Sequence, residues 1–216
     1  MPFFLIAIDG PAASGKSSVS RRLAARLNCA CVNSGSLYRA ATWGVLQAGV
    51  DPADPEAVAA AVSGLRLDSE TVDGSLQIRV NGLNPEEYLR DPVVAASVSK
   101  VASVPVVREI LTGILRSLGS GCSLIMEGRD IGTVVFPGTP FKFYIDASET
   151  VRLQRRQAQG EADSLVSRDR QDSTRKAAPL RIAEDAKVID STHLGLEEVV
   201  SQVVDHLRHQ GLSVPE

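Results

Sequence analysis

Aromatic residues are scarce in this chain of 216 residues, and neither charge is in large excess. Five Phe, three Tyr and one Trp are spread along it, and its formal net charge is −3. Proteins that bind nucleic-acid backbones carry Lys and Arg in excess, and those that bind single strands cluster aromatic side chains for base stacking. The composition therefore argues against a nucleic-acid partner, and any anion site has to be local.

Cysteine patterns and long apolar runs are also missing. Cys29, Cys31 and Cys122 have neither the spacing of a metal site nor the even number of a disulfide framework. We interpret them as small buried hydrophobic residues in a reducing compartment. The sequence shows no apolar run long enough to span a bilayer and no basic leader region. We expect a cytoplasmic protein without a membrane partner.

Apolar runs alternate with helical patterns along most of the chain. The runs are Phe3 to Ile8, Ala30 to Val32, Cys122 to Met126, Phe141 to Ile145 and Val188-Ile189. The predicted helices include Ser36 to Gln47, Pro92 to Ser103, Val104 to Leu118, Glu149 to Gln159 and Leu196 to Leu207. This alternation is typical of a parallel sheet built from β–α–β units. It predicts an α/β fold with three layers and a parallel central sheet. The sequence GPAASGKS after the first run, described below, makes this fold one of the P-loop NTPase type.

Two segments interrupt the alternation. Short alternating strands at Leu65 to Leu67 and Leu76 to Val80, around an Asp73-Gly74 turn, predict a small β-insert. Between Gly160 and Ala178 apolar residues thin out and arginines crowd among aspartates, as in a short Arg-rich lid or a solvated loop. The predicted organisation is a core of 1–63, 104–159 and 179–216, an insert of about 64–103 and a lid of about 160–178.

The most specific motif, GPAASGKS, follows the first apolar run directly. Its glycines let the backbone N–H groups face one anion, Lys16 reaches the outer phosphates, and the Ser17 hydroxyl can bind Mg²⁺. A helix that begins beneath the loop adds positive potential. The predicted ATP-binding residues are Gly10, Pro11, Ala12, Ala13, Ser14, Gly15, Lys16, Ser17 and Ser18.

A second polar cluster follows the second apolar run, with the sequence NSGSLYR. The strand delivers Ser34 to the sheet edge, and Arg39 lies about one helical turn beyond Ser36. A hydroxyl and a guanidinium at this spacing can hold a second phosphate. Alternatively, Ser36 only caps its helix and Arg39 is a surface charge.

A third cluster, EGRDIGT, begins where the central apolar run ends. Glu127 then resembles the acid of a Walker-B element and would lie near Mg²⁺ or its waters. Arg129 and Asp130 are candidates for contact with the phosphate acceptor, because the flanking glycines favour close approach of a ligand. The alternative is a structural salt bridge between these two neighbours.

A fourth cluster, RDRQDSTR, falls in the lid segment. If it is helical, Arg168, Asp172 and Arg175 share one face. Such a face can close over transferring phosphates and exclude water, as a kinase requires. The alternative is an ordinary ion pair on an exposed helix. With the P-loop and a second phosphate site, the lid favours phosphoryl transfer between two nucleotides.

Two other functions remain open from the residues alone. One is a kinase for another small acceptor, such as UMP or a metabolite that is not a nucleotide. The other is a nucleotide-binding switch without an acceptor, although the guanine-reading sequence N-K-x-D is absent. A switch would leave the lid arginines and the second phosphate site unexplained.

Seven stretches, spread in order over nearly the whole chain, resemble the bacterial cytidylate kinase (CMP/dCMP kinase) family of P-loop nucleoside monophosphate kinases. They are IAIDGPAASGKSSVS, NSGSLYRA, VASVPVVREIL, EGRDIGTVVFP, KFYIDAS, RDRQDSTRKAAPL and AEDAKVIDST. The resemblance implies a monomeric cytoplasmic enzyme of pyrimidine metabolism. It would transfer the γ-phosphoryl group of ATP to CMP or dCMP with Mg²⁺ as cofactor, and the β-insert would bind CMP.

The resemblance also implies roles for individual residues. The CMP-binding set is Ser34, Arg39, Ser99, Arg108, Arg129, Asp130, Arg168 and Asp172. Within it, Ser99, Arg108 and Asp130 would read cytosine, and Asp172 would bind the ribose hydroxyls. The catalytic set is Lys16, Arg129, Arg168 and Arg175, and the metal ligand is Ser17, with Glu127 acting through a water.

The chain departs from the family pattern at three places. Asn33 and Glu127 stand where many members have Asp, and the run between Arg156 and Arg168 is shorter than in many members. Asn33 puts a neutral amide near the acceptor site, whereas Glu127 keeps the charge. The shorter run affects the reach of the lid but leaves its arginines in place.

Overall fold

A computed structural model describes residues 3–72, 75–158, 165–175 and 178–215, without the side chains of residues 71, 72, 75, 76, 165–168 and 170. The strands in this part of the chain are β1 Leu5–Asp9, β2 Ala30–Asn33, β3 Leu67–Val72, β4 Ser75–Val80, β5 Leu124–Gly128, β6 Phe141–Asp146 and β7 Lys187–Asp190. The α-helices are α1 Lys16–Leu27, α2 Ser34–Gln47, α3 Pro55–Gly64, α4 Pro92–Val101, α5 Pro105–Leu118, α6 Glu149–Ala158, α7 Leu165–Thr174 and α8 Leu196–His209.

The chain divides into two compact units. The first unit comprises Met1–Val32 and Gly121–Glu216, and the second comprises Asn33–Ser120. The second unit thus joins β3 and β4 to helices on both sides of them in sequence. The assignment of core, insert and lid functions to segments of the chain stays a prediction.

The sheet of the first unit has the order β2-β5-β1-β6-β7. Strand β1 runs parallel to both β5 and β6, and β6 runs parallel to β7. The carboxyl ends of β1 and β5 lie side by side, with Asp9 opposite Gly128. This arrangement confirms the predicted parallel α/β sheet and brings the P-loop and the EGRD segment to the same edge.

The core of the first unit lies between the sheet and helices α1 and α8. Ile8, Phe143 and Ile145 from the strands pack with Leu23 of α1 and Val203 of α8, and all five are almost fully buried. Helix α8 forms because its valines and Leu207 recur at helical spacing and give one apolar face. The P-loop therefore stands on a rigid base.

The second unit combines an antiparallel hairpin with four helices. Strands β3 and β4 pair from Leu67↔Val80 to Val72↔Ser75, so a hairpin is present as predicted. Its first strand is Leu67–Val72 rather than the predicted Leu65 to Leu67, and the predicted turn lies outside the described residues. Trp43 of α2 stacks on Tyr88, with ring centroids 5.9 Å apart. We did not predict α3 from the sequence, although Pro55 follows Asp54, whose side chain accepts the N–H groups of Glu56 and Ala57.

The cysteine prediction is wrong in part. Cys122 is exposed, because β5 begins at Leu124 and Cys122 lies in the connection before it. The sequence analysis had placed Cys122 in the strand. Cys29 and Cys31 are half-buried, and burial raises the pKa of their thiols to about 11 and about 12. Both thiols therefore stay protonated at neutral pH.

Within the described ranges, none of the helices has the length and apolar character needed to cross a membrane.

Candidate active site

The P-loop has the strand–loop–helix setting that the sequence predicts. It connects β1 to α1, and Gly10, Ala13 and Gly15 have φ values of +152°, +59° and +94°. A Cβ atom on Gly10 would lie 2.1 Å from the carbonyl oxygen of Ile145, so only glycine fits there. The loop conformation is therefore set by the main chain.

Lys16 lies at the start of α1 and folds back over the loop. Its Nζ atom donates to the carbonyl oxygen of Pro11 at 2.9 Å. Burial, together with the nearby charge of Arg129, lowers the pKa of Lys16 to about 8. A phosphate group that bound here would supply the negative charge that the buried ammonium favours.

Three oxygen-bearing side chains lie in or near the loop. Ser17 is half-buried on the first turn of α1, and Glu127 is buried near the end of β5. Within the described part of the chain, the buried Ser14 hydroxyl has no hydrogen-bond partner. Hydroxyl and carboxylate oxygens are ligands that Mg²⁺ accepts, so these residues fit the predicted metal.

The EGRD segment is anchored to the P-loop strand by Asp9. Both carboxylate oxygens of Asp9 accept N–H groups, from Ile131 and Gly132, at 2.8 Å each. Burial raises the pKa of Asp9 to about 6, against the opposing effect of these two bonds. The contacts hold the π-helical turn at Ile131–Val135 and fix the backbone next to Arg129 and Asp130. The sequence analysis did not single out Asp9.

Arg129 reaches the P-loop and two carboxylates of helix α7. Its Nη1 atom donates to the carbonyl oxygen of Gly10 at 3.3 Å and to Oδ1 of Asp169 at 2.8 Å. Its Nε atom lies 3.3 Å from Oδ2 of Asp172. Among the described residues, the carboxylates that contact Arg129 are these two of α7, whereas the alternative interpretation placed the neighbouring Asp130 in that role.

Two of the three lid residues that were predicted to share a helix face form an ion pair. Oδ1 of Asp172 lies 2.9 Å from Nη2 of Arg175, and both side chains are about nine-tenths buried. The pair is therefore not an ordinary surface ion pair. Arg168 falls within α7, but its side chain lies outside the described part of the structure.

Two arginines of α6 that the sequence analysis missed bond the main chain of the loop, one directly and one through Ser191. Arg152 donates to the carbonyl oxygens of Ala12 and Ala147 at 3.1 Å each and also contacts Asp169. Arg155 donates to Ser191, whose hydroxyl in turn donates to the carbonyl oxygen of Ser14 at 2.9 Å. A signal existed: the sequence RLQRR begins three residues into the helix that follows β6.

The remaining predicted residues lie in the second unit. Arg39 of α2 donates to the carbonyl oxygen of Leu89 at 2.7 Å. Arg108 of α5 is buried, donates to the carbonyl oxygen of Ala102 at 3.4 Å, and lies over the Tyr38 ring at 5.4 Å from its centroid. Ser34 begins α2 and is buried, and Ser99 is half-buried on α4.

Asn33 has a definite structural role in the second unit. It precedes α2, and its Oδ1 atom accepts the N–H of Ser36 at 3.2 Å. This is an N-cap, for which Asn serves as well as Asp. Asn33 in place of an acid therefore keeps the start of α2 intact. The sequence analysis considered Ser36 as the cap of this helix, but the cap is Asn33.

A comparison with known families decides between the interpretations left open above. The family model described as "Cytidylate kinase" matches residues 6–209. The chain belongs to the cytidylate kinase family. It is thus an enzyme of the (d)CMP kinase type that phosphorylates a nucleoside monophosphate with ATP.

Curated relatives agree with this family over nearly the full length of the chain. The cytidylate kinase of Rhodococcus opacus is 41% identical over 212 residues, which cover 93% of each chain. That of Mycolicibacterium paratuberculosis is 42% identical over 216 residues, covering 94% of this chain and 93% of the relative. A bifunctional pantoate ligase/cytidylate kinase of Synechococcus elongatus is 42% identical over 96% of this chain, which corresponds to 42% of that protein.

Solved structures of two other kinases share the fold of this cytidylate kinase family member. A gluconokinase from Sinorhizobium meliloti matches with a TM-score of 0.53 at 13% identity, over 97% of this chain and 93% of that one. Shikimate kinase from Acinetobacter baumannii, in complex with shikimate, matches with a TM-score of 0.50 at 12% identity, over 98% and 97% of the two chains. At such low identity these matches establish the P-loop kinase fold alone.

Proposed function

We propose that the protein transfers the γ-phosphoryl group of ATP to CMP and dCMP, which gives CDP or dCDP and ADP, in pyrimidine nucleotide metabolism. The observation that carries the proposal is the position of Lys16. It lies half-buried on a glycine-shaped loop, close enough to Arg129 for that charge to lower its pKa. Two positive groups beside a loop that binds phosphate oxygens would stabilise a transferring phosphoryl group, because negative charge develops on its peripheral oxygens.

The donor would be held by the P-loop. Main-chain N–H groups of the loop between Gly10 and Ser18, where Pro11 has none to offer, would bind the phosphates, and the Lys16 ammonium would bind the outer ones. Ser17 would hold Mg²⁺, with Glu127 acting through a water, and the metal would neutralise charge on the β- and γ-phosphates. Arg129, Arg168 and Arg175 would stabilise the transferring group.

The acceptor residues proposed here are those that the family resemblance implies. Ser34, Arg39, Arg129 and Arg168 would bind its phosphate, and Asp172 would bind the ribose hydroxyls. Asp172 already accepts from Arg129 and Arg175. The ribose would therefore use the remaining lone pairs of this carboxylate or replace one of the arginines.

Recognition of cytosine is assigned to Ser99, Arg108 and Asp130. The cytosine N4 amino group is a donor that a carboxylate accepts, whereas uracil presents an oxygen at the same place. Asp130 is buried, so a mismatched oxygen would leave both groups unpaired away from water. This arrangement would favour cytosine over uracil.

The proposal is tested by ADP formation from ATP and Mg²⁺ with CMP, dCMP, UMP, AMP and GMP in parallel. We expect the highest kcat/KM with CMP and dCMP. Turnover that is highest with a purine or with UMP would refute the acceptor assignment. The variant Asp130→Ala should lose far more activity with CMP than with UMP, and equal losses would refute base reading by Asp130.

A cytoplasmic location, a monomeric state and the absence of a nucleic-acid or membrane partner stay predictions.

A further inference from the structure

Asp169 of helix α7 places its carboxylate directly on the P-loop. Its Oδ1 atom accepts the main-chain N–H of Ala12 at 3.0 Å and also accepts from Arg129 at 2.8 Å. Its Oδ2 atom contacts Nη1 of Arg152. The side chain is 13% exposed, so most of this contact is shielded from water.

This set of donors is the set that a bound phosphate would use. A P-loop binds anions through main-chain N–H groups and nearby cations, and guanidinium groups favour planar, two-oxygen anions. A carboxylate that accepts from one loop N–H and two arginines satisfies the same donors. Asp169 therefore occupies an anion position that belongs to the loop of Gly10 to Ser17.

The charge on Asp169 is secure at neutral pH. Burial alone would raise the pKa of this carboxyl, but the Arg129 charge, the Ala12 N–H bond and Arg152 together hold it below its usual value. The described contacts of Asp172 differ, since they are to Arg129 and Arg175 and not to the loop main chain. Asp169 is thus the carboxylate of α7 that reaches the P-loop backbone.

We propose that Asp169 is an internal competitor for the phosphate donor, and that it sets how strongly the P-loop distinguishes a triphosphate from smaller anions. A small anion that contacts only Ala12, Arg129 and Arg152 has to displace the Asp169 carboxylate from the same donors, so its net binding free energy is small. A triphosphate also reaches Lys16 and the Ser17 metal site, so it gains contacts that Asp169 does not make. The inference rests on the proposed role of the P-loop as the ATP site.

A purely structural role for Asp169 predicts the opposite sign. If the carboxylate only orients Arg129 and Arg152, its removal leaves these arginines unplaced, and all anions should bind more weakly. If it competes with the ligand, its removal takes the acceptor from the Ala12 N–H and one of several acceptors from Arg129 and from Arg152, and the smallest anions should gain most. Binding measured without an acceptor separates the two, because no catalytic step contributes.

The test compares the wild type with Asp169→Ala, in which alanine suits the helix of α7. Binding of inorganic phosphate, and of ATP with Mg²⁺, is measured by calorimetry. We expect phosphate to bind about tenfold more tightly to the variant, and ATP to gain clearly less. The matched control is Asp205→Ala, which removes an exposed carboxylate from α8 of the same unit and should change neither affinity.

Unchanged or weaker phosphate binding by Asp169→Ala would overturn the inference while leaving the ATP site in place. If ATP binds neither protein, the proposed function fails and the inference fails with it. A second measurement needs no variant: the ¹³C signal of the Asp169 carboxyl group is titrated in the wild type with and without ATP. Displacement should raise its pKa toward the usual value, and an unchanged pKa would also overturn the inference.

Discussion

The P-loop and helix α7 touch each other but are held by different forces. The P-loop is fixed by its main chain, through the close approach of Gly10 to the carbonyl oxygen of Ile145 and through donors that bind its own carbonyl oxygens. Helix α7 is held by two carboxylates, Asp169 and Asp172, that pair with arginines.

The difference shows which of the two can exchange partners with a ligand. The glycine turn of the loop depends on a close main-chain contact, so it does not tolerate an added Cβ atom. The ion pairs of α7 can exchange partners, because any anion of suitable size can take the place of a carboxylate. The loop is therefore suited to hold a constant geometry, and α7 is suited to respond to bound phosphates.

Replacement of Gly10 tests the main-chain frame most severely. In Gly10→Ala the new Cβ would meet the Ile145 carbonyl oxygen at 2.1 Å, so the backbone has to shift. We expect the free energy of unfolding, measured with urea, to fall by more than about 3 kcal/mol. In Gly15→Ala the nearest atom to the new Cβ is 3.7 Å away, so there is no clash. The positive φ alone should lower the free energy of unfolding, by about 1 kcal/mol. Equal losses would contradict the role of Gly10.

Removal of the P-loop ammonium should spare the fold and abolish most of the chemistry. We expect Lys16→Ala to lower kcat by about a hundredfold or more, because it removes charge stabilisation of the transferring group. Its urea unfolding curve should match that of the wild type. Lys100→Ala, on an exposed position of α4, is the control. A kcat near the wild-type value would refute the assignment of Lys16.

Arg152 joins the two regions, since it bonds the loop carbonyl of Ala12 and also Asp169. In Arg152→Met a buried carboxylate loses a partner and two carbonyl oxygens lose donors. The expected cost is about 2 kcal/mol of unfolding free energy. The control Arg22→Met breaks an exposed ion pair with Glu197 and should cost about 0.5 kcal/mol or less. A negligible cost for Arg152→Met would show that the loop does not depend on this arginine.

The last prediction concerns the pH dependence of ATP binding. The pKa of Lys16 is lowered to about 8 in the free protein, so its ammonium is lost as pH rises above 8. A bound phosphate favours the ammonium, so ATP binding takes up a proton there, and affinity should fall by up to about tenfold per pH unit. Calorimetry at several values between about pH 7 and about pH 10 measures this change in ATP affinity. In Lys16→Arg, which stays charged, this fall should be absent, and a fall of equal size would implicate another group.

The same contrast separates what the sequence predicts from what it does not. The P-loop, the parallel sheet and the hairpin are local patterns of glycine spacing and apolar periodicity. The structure shows the P-loop and the sheet where expected, and shows the hairpin with a first strand, Leu67–Val72, that begins later than predicted. The partners of Arg129 are Asp169 and Asp172, about 40 residues away, and spacing along the chain carries no information about such pairs.

Other differences have equally local causes. Helix α3 went unpredicted because its alanine-rich sequence has only a narrow apolar stripe, with Val58 and Val62 as its buried residues. Strand β5 begins at Leu124 and extends to Gly128, so Glu127 lies within the strand rather than after it. Asp9 was missed because a single acid before a glycine gives no sign that its partners are main-chain N–H groups more than 120 residues away.

Trp43, which stacks on Tyr88, gives the protein an intrinsic fluorescent probe in the second unit. Trp43 is the only tryptophan in the sequence, it lies in the second unit, and it is 92% buried. Its fluorescence therefore follows the surroundings of α2 and Tyr88 alone, with no signal from a second indole in the first unit. A chemical label is not needed to see whether an added nucleotide alters the second unit, or to compare its unfolding with that of the whole chain followed by circular dichroism.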